Sequence, residues 1–449
     1  MRNVGTASAI YPSAAYAWYV VFMLLLAGMT SYLDRYLLAL LIAPVRGYLK
    51  ITDTQVSLLQ GLAFALFYVA AGLPFGRLVD RTNRRNVILV GVLVWSLFTI
   101  GCGLAETYAQ MFVARLGVGI GEACLGPAAF SLIADYFTRE RRGRAMSVYN
   151  LSNYLGGGAS LLIGGLILKG LTATATVDLP LLGVVPTWKA AFFVAAAPGF
   201  AIAVLLLTVK ETSRKEVAHP ALTDGAMRLG IYLPRHARVY CALYLVFTLN
   251  AFVGLTFASW GPTFFTRRFG LSPAEVGLIT GPIGIVFGTA GALLSGILGD
   301  WLVGKGRTRF LIPLIFWPIM TAGVICLCLA PNLAIALAGE AIVLFGSGLG
   351  LVAGPPTFQD VTPNQLRGQV QALYFMLSGL LGLGVAPTAV ALVTDFVFGR
   401  DDAIRYSLLV VLVPVALLAF VVCFLSQSRY AHLRNETWPF AYPSIQKQN

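Results

Sequence analysis

The polar stretch that follows the second apolar run reads Gly76-Arg77-Leu78-Val79-Asp80-Arg81-Thr82-Asn83-Arg84-Arg85. Part of it recurs in the second half of the chain, where Gly296, Leu298 and Asp300 correspond to Gly76, Leu78 and Asp80. A second correspondence has a slightly larger but constant offset and pairs Asp135, Arg142, Gly143, Tyr149, Leu155 and Gly157 with Asp360, Arg367, Gly368, Tyr374, Leu380 and Gly382. The two halves of the chain therefore repeat each other.

The composition excludes a water-soluble protein. The chain has 449 residues, of which 58% are hydrophobic and only 11% are charged, and its mean hydropathy is +0.79. Soluble domains carry about 25% charged residues. Apolar runs of roughly 20 or more residues, separated by short charged stretches, indicate transmembrane helices. The predicted fold is an all-α membrane protein.

Twelve apolar runs predict twelve membrane spans. If both termini are cytoplasmic, 22 of the 32 Lys and Arg residues lie in cytoplasmic segments, as the positive-inside rule requires. We predict spans at residues 16–45, 54–77, 86–105, 108–136, 143–170, 188–208, 238–266, 274–302, 309–330, 332–357, 367–394 and 405–427.

A polar segment in the middle of the chain divides the spans into six and six. The predicted organisation is an N-terminal six-helix bundle at residues 1–208, a cytoplasmic linker at 209–237, and a C-terminal six-helix bundle with a cytoplasmic tail at 238–449. Residues 226–232 of the linker form either an amphipathic segment on the membrane surface or a solvated connection. Two related six-helix halves are typical of secondary transporters, whose substrate site lies between the halves.

Other function classes lack the residues that they need. The six cysteines fall inside apolar runs without a metal or redox spacing, and the three histidines lie in polar segments. Basic residues are spread over several loops, which does not favour a nucleic-acid partner. No nucleophile-and-base set and no ATP-binding element is evident. We therefore expect no enzyme activity, no metal and no cofactor, with a proton as the coupling ion.

Four ionisable residues lie at membrane depth in the first half: Asp34, Arg35, Arg115 and Glu122. Each charge at the bilayer centre costs about 2.5–3.5 kcal/mol, so these groups should face a cavity or one another. In one interpretation, Asp34 and Arg115 form a permanent buried ion pair. In the other, Asp34 and Glu122 alternately hold a proton, while Arg115 stabilises a deprotonated carboxylate. Arg35 then remains to attract an anionic head group.

The second half has few charges at membrane depth. Glu340 corresponds to Arg115 in the repeat, and it could bind a cationic substrate group, bind a proton or satisfy a neighbour. The other polar or aromatic candidates for the cavity lie in the seventh and eleventh spans, although aromatic residues there more often serve packing. These candidates are Asn250, Thr256, Ser259, Trp260 and Tyr374.

The loop at residues 76–85 resembles the signature loop of the major facilitator superfamily. In that family the loop latches the cytoplasmic side of the outward-open state, and the glycine, aspartate and arginine positions all match here. The resemblance implies twelve helices in two pseudo-symmetric bundles. It also implies a conformational latch made of Gly76, Asp80, Arg81, Arg84, Arg85, Asp135 and Arg142.

Three further motifs resemble the Spinster-like branch of that superfamily. They are Tyr32-Leu33-Asp34-Arg35, then Ala114-Arg115-Leu116-Gly117-Val118-Gly119-Ile120-Gly121-Glu122-Ala123, and Ser131-Leu132-Ile133-Ala134-Asp135-Tyr136-Phe137 followed by Arg141-Arg142. Animal members of this branch export sphingosine-1-phosphate or lysophospholipids. The resemblance implies that Asp34, Arg115 and Glu122 carry proton coupling and that Arg35 contacts substrate.

The leading hypothesis is thus a proton-coupled transporter of an amphipathic, lipid-like substrate, with Arg35, Glu122, Asn250, Trp260, Glu340 and Tyr374 as substrate-binding residues. Two alternatives remain: a multidrug or organic-anion transporter of the same superfamily, and a lipid scramblase or sensor that does not transport. We expect a monomer in the cell inner (plasma) membrane, with both termini in the cytoplasm and with the lipid bilayer and an amphipathic substrate as its partners.

Overall fold

The computed structural model describes residues 12–171, 176–179, 183–214, 229–363 and 365–441. Twelve long helices are apolar enough to cross a membrane. Their bounds are α1 Ala14–Leu40, α2 53–81, α3 Arg84–Leu104, α4 Tyr108–Tyr136, α5 139–171, α6 Thr187–Leu206, α7 Ala237–Phe269, α8 Pro273–Gly304, α9 Arg309–Leu329, α10 Leu333–Asp360, α11 Arg367–Phe398 and α12 Ile404–Ala441.

The prediction of twelve spans is confirmed, but several helices extend beyond their apolar runs. The beginnings of α2, α4 and α8 lie within one residue of the predicted positions, and the side chains of Thr52, Thr107 and Ser272 cap their first turns in complete capping boxes. The extensions lie at other ends, such as those of α2 at residue 81 and of α12 at Ala441. Hydropathy alone does not report where a helix continues past its apolar run. It also missed a two-stranded hairpin, β1 Thr176–Leu179 and β2 Gly183–Pro186, between α5 and α6.

Two short helices flank the long ones. One, Ile42–Leu49, follows α1. It lies at the face of the protein away from the beginning of α1 and the end of α12, and we call this surface the opposite face. The other, Leu229–Arg235, precedes α7 at the termini face, where the Tyr232 hydroxyl donates to the main-chain carbonyl of Val361. Residues 226–228 of the proposed amphipathic segment lie outside the described residues. The linker therefore ends in a helix that is fixed to the second half.

The two halves meet through α2 against α11 and through α5 against α8. Glycines permit this contact: a Cβ atom on Gly281 of α8 would lie 2.8 Å from the Gly158 carbonyl oxygen of α5. A Cβ atom on Gly61 of α2 would clash with the Leu383 carbonyl oxygen of α11. Neither position has room for any side chain, so the main chains of the two halves touch directly.

Several of the helices at this interface contain a π turn. These turns are Leu58–Leu62 in α2, Gly284–Gly288 in α8, and Gly379–Val385 and Val393–Phe398 in α11. Each inserts an extra residue into the helix and is frequent at functional sites. The irregular backbone therefore lies where the halves meet.

Candidate functional site: a cavity between the two halves

A cavity of about 290 Å³ lies between the two halves at membrane depth. Residues of α1 and α5 line it on one side, and residues of α7, α8, α10 and α11 line it on the other. Most of the lining is apolar. The charged or amide-bearing lining residues are Arg35, Asn153, Asn250 and Glu340. The arrangement suits a molecule with a polar head and an apolar body.

Arg35 forms an ion pair with Glu122 at the wall of this cavity. Its Nε donates to Glu122 Oε2 at 2.9 Å, and its Nη2 contacts the same oxygen. The guanidinium also lies over the ring of Phe64, 4.3 Å from its centroid, with Tyr32 and Tyr68 slightly farther away. The Arg35 side chain is 19% exposed and that of Glu122 only 1%. Arg35 thus lies between the cavity and a buried carboxylate.

Asp34 and Arg115 are both buried, but their side chains do not form the predicted ion pair. Arg115 donates instead to main-chain oxygens, from Nε to Leu59 and from Nη1 to Asp34, each at 3.3 Å. Asp34 Oδ1 has no hydrogen-bond partner among the described residues, and neither has Glu122 Oε1. The structure brings the four predicted ionisable groups together, yet the observed pair is Arg35 with Glu122. Their spacing in sequence could not reveal that choice.

In the second half, Glu340 and Asn250 line the cavity as proposed. Glu340 is 6% exposed, and its Oε2 has no hydrogen-bond partner within the part of the chain that the structure describes. Asn250 Nδ2 donates to the Ser347 carbonyl at 3.3 Å, whereas its Oδ1 is buried without a partner among the described residues. Both residues line the cavity, and each has a buried acceptor oxygen without a partner among the described residues.

Trp260 and Tyr374 lie away from the cavity, and we correct their proposed role. Trp260 is 1% exposed, and its indole nitrogen donates to the Pro387 carbonyl at 2.9 Å. Tyr374 is also 1% exposed and packs between Phe247 and Phe358. Both rings fill the core of the second half, which apolar sequence context cannot distinguish from a cavity wall.

A smaller pocket of about 40 Å³ adjoins the cavity and shares Arg35 and Tyr36 with it. Gln60 of α2 and Ser259 of α7 complete its polar lining. Thr256, by contrast, donates to the Phe252 carbonyl of its own helix. Gln60 was not among the residues predicted from the sequence, although an amide in an otherwise apolar span was a usable signal.

Ion pairs between the halves close the cavity at the opposite face. Arg267 of α7 donates to both oxygens of Asp53 of α2, with Nη2 to Oδ1 at 2.7 Å. Arg46 contacts Asp401 and lies 3.5 Å from Asp53, and the Thr54 main-chain nitrogen donates to Asp395 at 2.7 Å. These contacts link segments from both halves across the end of the cavity.

At the termini face the proposed latch residues divide into two groups. Arg84 is fully buried, contacts Asp135, and donates to Glu211 Oε1 at 2.6 Å. The main-chain nitrogen of Arg85 donates to Glu211 Oε2, and Arg142 donates to the Ala134 carbonyl. All of these partners lie within the first half or, for Glu211, at the start of the linker.

The other latch residues lie at the surface. The Asp80 side chain is 76% exposed, and its nearest ion pair is with Arg214 at 3.9 Å. Arg81 is exposed, and a Cβ atom on Gly76 would meet nothing within 4 Å. Among the described residues, neither Asp80 nor Arg81 forms an ion pair with the second half in this conformation.

The repeat is visible in the ion pairs of the two halves. Arg84 with Asp135 corresponds, at the same constant offset as the second set of repeated residues, to Arg309 with Asp360, whose Nη1 to Oδ1 distance is 2.8 Å. Arg309 also contacts Asp300 at 3.3 Å. Each half thus holds its own helices together at the termini face with an arginine between carboxylates.

Comparison with known proteins agrees with this architecture. The chain is 27% identical to an MFS-type efflux pump of Mycolicibacterium smegmatis, over 92% of this chain and 93% of that protein. It is 25% identical to the protein spinster of Drosophila melanogaster, over 84% of this chain and 62% of that protein. Among solved structures it is similar to a bacterial homologue of the human lysosomal transporter Spinster in an inward-facing, unoccupied conformation. The TM-score is 0.75 at 23% identity, with 94% of this chain and 98% of that one covered.

The family model of the Major Facilitator Superfamily matches residues 24–387, which is most of the chain. The match includes the cavity, the latch loop and the ion pairs of Arg84 with Asp135, Arg309 with Asp360 and Arg267 with Asp53. Twelve apolar helices and two repeated halves with a cavity between them agree with this match. The chain belongs to the Major Facilitator Superfamily and is a multi-pass membrane transporter.

Proposed function

We propose that the protein is a proton-coupled secondary transporter of an amphipathic anion of the lysolipid or sphingoid-phosphate type. The observation that carries the proposal is the position of Arg35, which pairs with the buried Glu122 and at the same time lines a mostly apolar cavity. An anionic head group that enters the cavity would compete with Glu122 for the same guanidinium. The resemblance of three motifs to the Spinster-like branch, whose animal members export sphingosine-1-phosphate or lysophospholipids, supports a lipid-like substrate.

Competition for Arg35 couples the substrate to a proton. When Glu122 is deprotonated it neutralises Arg35, and when it binds a proton the guanidinium is free to hold an anion. Asp34 and Arg115 lie behind this pair, and the Asp34 carboxylate serves as a second proton site. Transport therefore needs the proton and the substrate at adjacent positions. Glu340 and Asn250 provide acceptors on the other wall of the cavity for the cationic or hydrogen-bonding part of the head group.

The two ends of the cavity have different contacts, and this difference supports transport by alternating access. Contacts between the halves close the opposite face, whereas the ion pairs at the termini face remain within each half. Since the predicted spans assign 22 of the 32 Lys and Arg residues to segments on one side, the side of α1's beginning, we assign that side to the cytoplasm and the protein to the cell inner (plasma) membrane. This conformation then faces inward, and Asp80 would engage when the protein opens outward.

Transport in liposomes with an imposed pH gradient tests the proposal. The wild type should accumulate a fluorescent lysophospholipid when the gradient is present. Glu122→Gln should retain exchange of the lipid but lose gradient-driven accumulation, since Arg35 is then free at every pH, and Asp34→Asn should also lose accumulation. Glu106→Gln is the matched control, because Glu106 lies at the opposite face outside the cavity.

Two results would contradict the proposal. Unchanged accumulation in Glu122→Gln would remove the proton role. Lipid redistribution that needs neither a gradient nor Arg35 would indicate a scramblase instead.

A second candidate is the export of lipophilic cations. The Glu340 carboxylate and the Asn250 amide in the cavity lining support it, as does the similarity to an efflux pump. Competition by amphiphiles of equal chain length and opposite charge separates the two functions. An anion transporter should be inhibited by alkyl phosphates and hardly by alkyl ammonium compounds, and an exporter of cations should show the reverse.

A further inference from the structure

One short sequence element occurs in two different conformations in this protein. Glu211-Thr212, which follows α6, recurs as Glu436-Thr437 in α12, at the same offset that relates the ion pairs of the two halves. α6 ends before Glu211, and residues 207–214 form neither a helix nor a strand. α12 instead remains helical through Glu436 to its end. The element is thus unwound in one half and helical in the other.

The unwound copy binds an arginine. Glu211 Oε1 accepts a hydrogen bond from Arg84 Nε at 2.6 Å, and the Thr212 carbonyl oxygen accepts one from Arg84 Nη2 at 2.8 Å. In the interior of an α-helix that carbonyl oxygen would accept from the main chain four residues later. The unwound conformation therefore makes both acceptors available to Arg84.

The helical copy has a histidine as its partner. Glu436 Oε1 lies 3.1 Å from His432 Nε2, one helical turn earlier, and both side chains are exposed. Glu436 also interacts electrostatically with Tyr232 and His236, which lie in and directly after the short linker helix. Two of the three histidines of the chain therefore surround this one carboxylate.

The arginine that corresponds to Arg84 has a weaker second partner. Arg309 pairs with Asp360 at 2.8 Å and contacts Asp300 at 3.3 Å, and the Asp300 side chain is 84% exposed. An exposed ion pair of this kind contributes little. Thr437 already lies beside this cluster, because its hydroxyl donates to the Asp360 carbonyl at 3.3 Å. If the end of α12 unwound, Glu436 would be close enough to displace Asp300 from Arg309.

Protonation of the histidines opposes that change. A protonated His432 and Glu436, four residues apart, form an ion pair that stabilises the helical conformation, whereas a neutral imidazole does not. Burial lowers the pKa of His236, Glu436 raises it in part, and Arg235 lowers it further. His236 therefore adds its positive charge beside Glu436 only at acidic pH. The helical conformation should be favoured by acid and lose its support as the pH rises.

We propose that the end of α12 is a pH-sensitive switch at the termini face. At acidic pH the protonated histidines hold Glu436, and residues 432–441 are helical. At alkaline pH Glu436 is released, the segment unwinds, and Glu436 binds Arg309 as Glu211 binds Arg84. Asp300, the second-half copy of the latch residue Asp80, is then free. The switch goes beyond the proposed function, since it does not depend on the identity of the substrate.

Hydrogen exchange of the purified full-length protein, without substrate, tests the switch. The protection of main-chain amides in residues 432–441 is measured at pH 6 and pH 8 and corrected for the intrinsic effect of pH on exchange. Protection should be roughly two- to fourfold higher at pH 6, as expected for weak ion pairs at a surface. Spin labels at Lys305 and Asn435, in a background without the native cysteines, should show a second distance that becomes more populated at pH 8.

Three variants separate the charge of the histidines from other effects of pH. His432→Lys keeps a positive charge and should remain protected at both pH values. The double variant His236→Gln and His432→Gln should show the lower protection at both. Glu436→Gln should not respond to pH, because it removes the group whose partner changes. The control is Arg429→Gln, at an exposed basic residue of the same helix, which should respond as the wild type does.

Equal protection of the wild type at the two pH values would overturn the switch. A response to pH that survives in the double histidine variant would also overturn it. Neither result would bear on the proposed transport function, because no substrate takes part in the measurement.

Discussion

Arg267 at the end of α7 holds both carboxylate oxygens of Asp53 at the start of α2, and this bidentate pair joins the two halves of the protein. Asp53 is fully buried, and the Arg267 side chain is 14% exposed. Arg46 lies beside the same carboxylate and reaches Asp401. Asp53 is therefore the acceptor around which the opposite face is closed.

Asp53→Asn should shift the protein away from the conformation in which the opposite face is closed. Removal of one partner of a buried pair costs about 3–5 kcal/mol. Even half of that cost would change the ratio of the two conformations by roughly tenfold or more. The distance between spin labels at Gly47 and Arg268, in a background without the native cysteines, reports the opening.

The control for this experiment is Asp402→Asn. Asp402 is an exposed carboxylate whose ion pair with Arg400 lies within the second half, so its loss should leave the distance distribution unchanged. Equal distributions in Asp53→Asn and the wild type would show that the pair does not hold the face closed.

Arg35→Lys should reduce transport at least about tenfold, although the charge is retained. A lysine cannot reach one carboxylate oxygen from two nitrogens, and it lacks the planar face that lies over Phe64. Initial rates of lysolipid uptake into liposomes measure the effect. Arg268→Lys, at an exposed arginine of α7, should transport normally, and a normal rate in Arg35→Lys would show that charge alone suffices.

Arg84→Ala should lower the free energy of unfolding by about 2–4 kcal/mol, since it removes the buried cation between Asp135 and Glu211. Thermal unfolding of the purified protein measures the loss. The neighbouring Arg81→Ala removes an exposed arginine from the same loop and should change stability by less than about 0.5 kcal/mol. Equal effects of the two changes would contradict the role given to Arg84.

Asp80→Ala should leave stability almost unchanged but slow transport. In this conformation the Asp80 side chain is 76% exposed, and its ion pair is a 3.9 Å contact with Arg214. Its removal should therefore change the free energy of unfolding little. The proposed latch needs Asp80 when the protein opens outward, and loss of that contact should lower the population of the outward-open state. Spin-label distances at the opposite face together with uptake rates would reveal it; uptake at the wild-type rate would argue against the latch.

Acid should weaken one contact at the opposite face. Lys189 and Tyr48 donate hydrogen bonds to the Glu106 carboxylate and hold its pKa below its usual value of 4.5. Because the pKa of Glu106 is lowered in the folded protein, the contact stabilises the fold fully at pH values above the usual pKa of 4.5. This contribution is lost as the pH falls through the lowered pKa. Thermal unfolding below about pH 5 should therefore show a smaller acid-induced drop for Glu106→Gln than for the wild type. Identical pH profiles would exclude this contribution.

Much of the fold was predictable because it depends on properties that are local in the chain. Apolar runs long enough to span a bilayer predicted all twelve helices, and residues that recur at a constant offset predicted the two halves. The repeat predicted that Asp360 would correspond to Asp135, and the structure adds that Arg309 corresponds to Arg84. Helix ends were less accurate, since some helices continue past their apolar runs, as α12 does to Ala441 instead of the predicted residue 427.

The candidate site was predictable only as a set of groups. Because charges are costly at membrane depth, the sequence determined that Asp34, Arg35, Arg115 and Glu122 would be buried near one another. Which arginine pairs with which carboxylate depends on the rotation of α1 against α4, and only the tertiary structure decided it in favour of Arg35 and Glu122.

The same limit explains the residues that were misplaced or missed. Trp260 and Tyr374 lie in the core of the second half, whereas Gln60 is among the residues that line a pocket next to Arg35. A helix in an apolar environment shows no hydrophobic period that separates a cavity wall from a packed core, since both are apolar. The sequence alone therefore determined the number of helices, their pairing into halves and the charges at membrane depth. The packing of one half against the other decided which side chains meet and which of them line the cavity.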